Sequence, residues 1–492
     1  MNRRDVARTA TLGVAGALIG LALVFLVLNN WGPDRYDGGE RPAGSGTAIG
    51  LNIGLAVLAA IVLSFGAVWA GGAWRARRTV AVTLCGLLVV LVPGWFAHGA
   101  LIGPRLDVRW TAAPDRPSSV TTVGAWGVGG TLVRARDDGL TAYAVRDGEE
   151  RWTLAAPPRE SVCAMSSRTA GGTGLVAFAR HEQPCTTAAL VDLSTGRTVW
   201  RRPVTGDATG TATTDGRIAL ADGTAVVSER DAVRGLDAAD GRQRWVRRTP
   251  AGCRVVSLDA GARRALLVEQ CGALRGPVTL RLVTLDARTG DRIGVSALPV
   301  ASGLDELQVV SAEPAVLRVK EEDKRGTDAL LAFDDRGRGP VVVPRSAGRR
   351  DLDLYEGHSR FAARPAGRVV VTDGVVVAIA TESGARRTRT VTAHSLADGR
   401  ELWTKRYRRD VTALARRADG DLAVLTQYGY DGTVHRLDPR TGRGVGEALP
   451  VSGRNRLFSG GTTELHHDGR GFTFTTSGGP GPRPSVFGAR PR

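Results

Sequence analysis

A unit of about fifty residues recurs from Leu106 to the end of this 492-residue chain, and this repetition restricts the fold more than any other feature. Each unit carries an alternating strand, a turn ending in Gly, and a second strand that often closes in Trp. The clearest copies run from Ala189 to Trp200 and from Val391 to Trp403. Two others run from Leu140 to Trp152, turning at Asp147-Gly148, and from Val233 to Trp245, turning at Asp240-Gly241. Three degenerate copies keep their turns at Thr289-Gly290, Arg336-Gly337 and Thr441-Gly442 and lose the Trp. The turn glycines are therefore Gly148, Gly196, Gly241, Gly290, Gly337, Gly399 and Gly442, at spacings of 48, 45, 49, 47, 62 and 43. Such a period, with several strands per unit, predicts a β-propeller with one four-stranded blade per repeat. Asp-Gly and Thr-Gly supply the positive φ that a tight hairpin needs. The Trp falls on the last strand of each unit, where its apolar area can pack between neighbouring blades.

Seven turns do not imply seven blades. Trp110, in the segment Val108 to Pro114, resembles Trp152 in the segment Arg151 to Pro157, and reads as a final strand with no earlier strands of its own. At the other end, Gly471 to Thr476 and Ser485 to Ala489 read as inner strands with no final one. Joining the two ends completes an eighth blade and leaves no open sheet edge between first and last. Eight blades are expected.

The first hundred residues have a different pattern. No charged residue occurs from Thr9 to Leu28, a run long enough to cross a bilayer core. Two more apolar runs follow, Thr47 to Trp74 and Thr79 to about Ala97. Spans at about 9–28, 47–74 and 79–97 are read as transmembrane helices. The first is too long for a signal-peptide core, and Leu28-Asn29-Asn30-Trp31 offers no small-x-small cleavage site. Arg3, Arg4 and Arg8, and then Arg75, Arg77 and Arg78, mark the cytoplasmic side, while the intervening loop is acidic on balance. The expected organisation is a membrane anchor over 1–104 and an extracytoplasmic propeller over 105–492. The spans hold no internal ionisable side chain of the kind a transporter uses; His98 lies at an end and reads as interfacial.

The repeat units resemble the PQQ-like repeat, Ala-x-Asp-x-x-Thr-Gly-x-x-x-Trp. That family includes quinoprotein alcohol dehydrogenases and the propeller lipoprotein of the bacterial outer-membrane barrel-assembly machinery. The resemblance is specific at 189–200 and 391–403, moderate at 140–152 and 233–245, and weak elsewhere. It implies an eight-bladed propeller; with the three apolar spans, the expected fold is an all-β eight-bladed propeller preceded by three transmembrane helices. A bound quinone is not implied, because many members keep only the repeat. The quinoprotein dehydrogenases use adjacent cysteines, a Ca²⁺ held by Glu, Asn and Asp, and a catalytic Asp. No two cysteines here are adjacent, and no calcium set aligns. No cofactor is expected.

Of the five cysteines, Cys85 lies within the third apolar run and the other four lie in the propeller. Four cysteines in an oxidising compartment allow three pairings. Cys163 and Cys253 occupy similar places in their units, and Cys185 and Cys271 each follow one hairpin later. Cys163–Cys185 and Cys253–Cys271, each within one blade, are the expected disulfides.

No catalytic residues are assigned. Asp192, Asp237, Asp286 and Asp438 recur with the turn and read as turn residues. Glu464, His466 and Asp468 alternate and are weak metal candidates on one strand face, with His467 opposite. Phosphate-loop, His-Glu-x-x-His and Gly-x-Ser-x-Gly motifs are absent. The formal net charge of +17 comes almost wholly from Arg, since Lys320, Lys324 and Lys405 are the only lysines. This skew matches a GC-rich, actinobacterial-looking genome and weakens the charge as a sign of nucleic-acid binding. Two basic clusters, Arg345 with Arg349 and Arg350, and Lys405 with Arg406, Arg408 and Arg409, read as solvated surface. The expected role is a binding or scaffolding module at the cytoplasmic membrane for a protein, peptide or envelope ligand, without nucleic acid. A quinone-dependent enzyme, or a sensor working through a membrane partner, is the alternative.

Overall fold

In the first repeat, residues 122–155, four short strands follow one another: Thr122–Val128, Thr131–Arg136, Gly139–Ala144 and Glu150–Ala155. Each pairs antiparallel with the next. The second and third strands are almost wholly buried, while the fourth alternates with exposed residues. A strand covered on both faces needs apolar side chains at nearly every position, which is why these segments read as runs of Val, Leu and Ala. The computed structural model describes residues 104–492, except 116–119, 121, 181–182, 206–216, 273–277, 355–366, 383–386, 430, 453–457, 459–462 and 477–483. The three apolar spans, with Cys85 and His98, lie outside the described residues. Among the described residues no helix is long and apolar enough to cross a membrane.

The same four-strand meander recurs over 160–203, 218–248, 253–297 and 304–344. In the sixth, the strand Val375–Glu382 carries two segments on its inner edge: Val369–Thr372 pairs with one half, and Arg350–Leu352 with the other. The long 62-residue spacing between Gly337 and Gly399 has its cause here, because the inner edge is interrupted by an insertion. The seventh meander covers 410–452.

The last set joins both ends of the unit. Thr463–His467, Phe472–Thr476 and Val486–Pro491 pair in order, and Leu106–Thr111 adds antiparallel to Val486–Pro491 as the fourth strand. Its register repeats that of the other Trp-bearing strands. Trp110 lies opposite Gly488, as Trp245 lies opposite Gly235. The residue just before the Trp is the bulged one in all five cases: Arg109, Arg151, Val199, Arg244 and Leu402. Two residue pairs run parallel between Leu106–Thr111 and the outer strand of the seventh meander.

The core lies between meanders. Val133, Leu140 and Ala142 of the first pack on Val162, Val176 and Phe178 of the second, and equivalent clusters fill the later interfaces. Each Trp closes such an interface by a fixed rule. The indole of Trp110 donates to Val145 O at 2.9 Å, Trp152 to Leu193 O at 3.2 Å, and Trp200 to Ala238 O at 3.0 Å. Trp245 donates to Ala287 O at 3.0 Å and Trp403 to Pro439 O at 2.9 Å. Every acceptor lies in the turn of the following meander, and the ring lies on that turn's glycine. Trp110 obeys the rule by docking on Gly148 of the first meander. Residues 106–492 form one compact unit of this kind, a β-propeller.

Candidate functional site

The inner strands end around a cavity of about 720 Å³. Its wall draws on seven of the meanders, from Ala125 and Trp126 in the first to Glu464 and His466 in the last. Apolar side chains such as Val310, Val370, Val371 and Leu414 share the wall with polar ones, among them Ser167, Arg168, Asp259, Glu313 and Arg416.

The polar part of the wall is built by a crossing contact. Ser167 follows the inner strand of the second meander, and its hydroxyl donates to Asp259 Oδ1 in the fourth at 2.5 Å. The Ala260 amide donates to the same oxygen at 2.8 Å. Arg168 donates to Gly261 O at 2.8 Å and to Asp222 Oδ1, in the third meander, at 3.0 Å. Asp259 is 2% exposed. Burial pushes its carboxyl up to about 7, against the opposing pull of Ser167, the Ala260 amide and the Arg168 charge. Glu313, from the fifth meander, accepts from the amides of Ala262, Arg263 and Arg264 at 2.9–3.0 Å. Its side chain leaves no space for a Cβ at residue 261, so Gly261 is needed for the approach. These carboxyls are therefore held by the protein's own donors.

Glu464 and His466 line the cavity side by side, with Oε2 and Nε2 3.5 Å apart. Their strand ends at His467, so Asp468 falls in the turn, where its Oδ1 accepts from the Arg470 and Gly471 amides at 2.8 and 2.6 Å. His467 lies against Phe472. Among the described residues no group of three or more His, Cys, Asp or Glu is placed to hold a metal ion.

The disulfides Cys163–Cys185 and Cys253–Cys271 both form, each within one meander. The aspartates Asp192, Asp237, Asp286 and Asp438 cap their own turns by accepting from amides two or three residues on. Hydrogen bonds from Ser194, led by its hydroxyl, hold the Asp192 carboxyl below its ordinary value, and the Ala239 amide does the same for Asp237. The basic clusters are not simply solvated. Arg350 pairs with Glu401 at 2.7 Å, and Arg409 is buried beside Thr433, 3.5 Å away. Arg409 alternates with Lys405 and Tyr407, so the strand's exit carries it inward.

The Ser167–Arg168–Asp259–Glu313 arrangement has no signal in the repeat, since it recurs in no other unit. The one clue is an acid, Asp259, within the largely apolar run Val255 to Ala260, whose other polar member is Ser257.

A family model described as outer membrane protein assembly factor BamB matches residues 136–386, just over half of the chain. Among solved structures, BamB from Moraxella catarrhalis is similar at 14% identity, covering 78% of this chain and 97% of that one, with a TM-score of 0.43. The quinohemoprotein alcohol dehydrogenase ADHIIG from Pseudomonas putida HK5 is similar at 13% identity, covering 78% and 76%, with a TM-score of 0.46. The corresponding enzyme from Comamonas testosteroni gives 12% identity, 79% and 76%, and 0.41. Comparison with curated protein sequences finds no match.

The adjacent cysteine pair of the quinoprotein dehydrogenases has no counterpart here, since no two of the five cysteines are neighbours in the chain. The four propeller cysteines pair at separations of 22 and 18 residues. Cys163 and Cys185 pack in the apolar cluster between the second and third meanders, away from the cavity wall. The cavity carboxyls Asp259 and Glu313 are committed to hydroxyl and amide donors. With the family model and the repeat in agreement, the chain belongs to the PQQ-like repeat family described as outer membrane protein assembly factor BamB.

Proposed function

We propose that this chain is a membrane-anchored, extracytoplasmic propeller of eight blades that binds a protein, peptide or envelope ligand at its central cavity without a quinone and without nucleic acid. The observation that carries the reading is the cavity wall: half apolar, half polar, with Asp259 and Glu313 accepting from the protein's own hydroxyl and amide donors. Such a wall suits recognition of a ligand by shape and a few polar contacts. Its volume is in the range of small-ligand and short-peptide pockets. The eight-blade count is supported by the pairing of Leu106–Thr111 with Val486–Pro491 and by the docking of Trp110 on Gly148. The anchor and its orientation rest on the three apolar runs and their flanking arginines. Two intrachain disulfides suit an oxidising compartment.

The test is a photo-crosslinking side chain at cavity residue Thr169 in growing cells, with outer-strand residue Val246 as the control position. The species captured at Thr169 alone is then purified and added back to the full-length protein. Binding that is lost with Arg416→Glu, on the cavity wall, supports the reading. Binding indifferent to that change, or conversion of the captured species by the protein, overturns it.

A further inference from the structure

The donors that hold Asp259 reach only one of its oxygens. Oδ1 accepts from the Ser167 hydroxyl at 2.5 Å and from the Ala260 amide at 2.8 Å. Both contacts favour the ionised carboxyl and fix its direction. Among the described residues Oδ2 receives no hydrogen bond, and it is open to the cavity that Asp259 lines rather than sealed in the wall. The guanidinium that acts on this carboxyl does not turn to meet it. Arg168 gives one arm to Gly261 O at 2.8 Å and the other to Asp222 Oδ1 at 3.0 Å. Glu313 spends both of its oxygens on three amides. Three carboxyls, Asp222, Asp259 and Glu313, thus share one guanidinium in this cluster, in a chain whose formal net charge is +17. A side chain that is 2% exposed is a costly place to leave a charged acceptor empty.

The geometry also selects what can fill it. A metal ion needs several ligands, and among the described residues no group of three or more His, Cys, Asp or Glu is placed to hold one. A guanidinium pairs best with both oxygens of a carboxylate, and here Oδ1 is already filled. A primary ammonium is a compact charge with three donors, so it can spend one on a single oxygen and turn the others to water or carbonyl groups. We infer that the cavity recognises a ligand bearing a protonated primary amine, which donates to Asp259 Oδ2. This rests on the binding reading and narrows it: the amine comes from a peptide, as a lysine-type side chain, or from an amino sugar.

Ligand-observed NMR titration of the full-length protein tests this with two pairs of probes, each pair differing only in the acetylation of one amine. Nα-acetyl-lysine amide is set against its Nε-acetyl derivative, and glucosamine against N-acetylglucosamine. The pH is set at about 7.5, where a lysine-type amine is charged, above the value of about 7 to which burial pushes the Asp259 carboxyl. In at least one pair the amine should bind roughly tenfold or more tightly than its acetylated partner, because acetylation removes a charge-assisted hydrogen bond to a buried carboxylate. The pair that discriminates names the source of the amine. Asp259→Asn keeps an acceptor at Oδ1 and removes the charge, so it should weaken the amine to the level of the acetylated probe and leave the latter unchanged. Equal binding within both pairs, no binding of either amine, or discrimination that survives Asp259→Asn overturns the inference; the wild-type pairs decide it where the variant does not fold. The two readings fail separately. A species captured at Thr169 that carries no amine overturns the amine site and leaves the binding reading standing, whereas amine discrimination with nothing captured in cells overturns the binding reading alone.

Discussion

The turn glycines do two jobs, and the second is the more demanding. Gly241 has φ +71°, and a Cβ there would stand 2.8 Å from Trp200 Cδ2, inside contact distance. Gly223 has nearly the same backbone, φ +74°, with nothing within 4 Å of a Cβ. Both positions cost an L side chain about 1–2 kcal/mol of backbone strain. Only Gly241→Ala must also push Trp200 off the neighbouring turn, an overpacking cost of about 1–3 kcal/mol. Gly241→Ala should therefore be less stable than Gly223→Ala by roughly that second amount, read as the difference in their denaturation midpoints. Equal midpoints would show that the indole docking contributes nothing. The Gly and the Trp were legible in the sequence because both recur. That they touch across meanders was not, because the partners belong to different copies and no local pattern links them. The role of Asp259 was obscure for the opposite reason: it occurs once, and its partner Ser167 lies 92 residues away in the chain.

Secondary-structure elements were readable where the repeat holds and obscure where it breaks. The two disulfides followed from aligning Cys163 with Cys253, and each joins the first two strands of a meander or the loop beside them. The sixth meander's split inner edge showed in the sequence only as a spacing of 62, because a spacing records an insertion without saying which strand it interrupts. The buried Arg409 was hidden in a basic run, since composition does not show which way a strand's exit turns. The disulfides differ in a testable way. Their loops, 22 and 18 residues, are so similar that loop entropy gives each about 3 kcal/mol. Access separates them. The difference lies at one sulfur: Cys185 is 4% exposed within an apolar cluster, while its partner Cys163 is half-buried, as are both Cys253 and Cys271 on their paired strands. Thiolate attack needs access to sulfur. Under mild reductant in the folded protein, alkylation followed by peptide mass spectrometry should find Cys253 and Cys271 labelled first. Labelling of Cys163 and Cys185 at the same rate would show that the cluster gives no protection.

At the scale of the whole propeller, the two ends of the unit carry the closure between them. Leu106–Thr111 supplies the outer strand, and residues 463–491 supply the three inner ones. Phe472, Phe474 and Phe487 pack with Leu106 and Phe458 in one cluster, with the Phe474 and Phe487 rings stacked 4.7 Å apart. A polar latch sits beside it. Arg134 of the first meander, buried, donates to both Asp115 oxygens at 2.7 and 2.8 Å and to the Ser485 hydroxyl at 3.0 Å. Burial alone would raise the Asp115 carboxyl, but the hydrogen bonds and charge of Arg134, with Ser485 and Arg136, outweigh it and hold it below its ordinary value. Removing residues 471–492 takes away two strands, the three phenylalanines and Ser485 in one step. It leaves Trp110 without Gly488, an apolar face and an open edge exposed, and Arg134 short of one acceptor. Since every meander packs on two neighbours in a closed ring, the damage cannot stay at one interface. The truncated protein should lose its single cooperative thermal transition or aggregate on heating, as followed by calorimetry and light scattering. A dispensable tail would come away with almost no change in melting temperature. An unchanged melting curve would therefore mean that the seven meanders of 122–452 are stable without the shared one, and that the pairing of the two ends closes nothing.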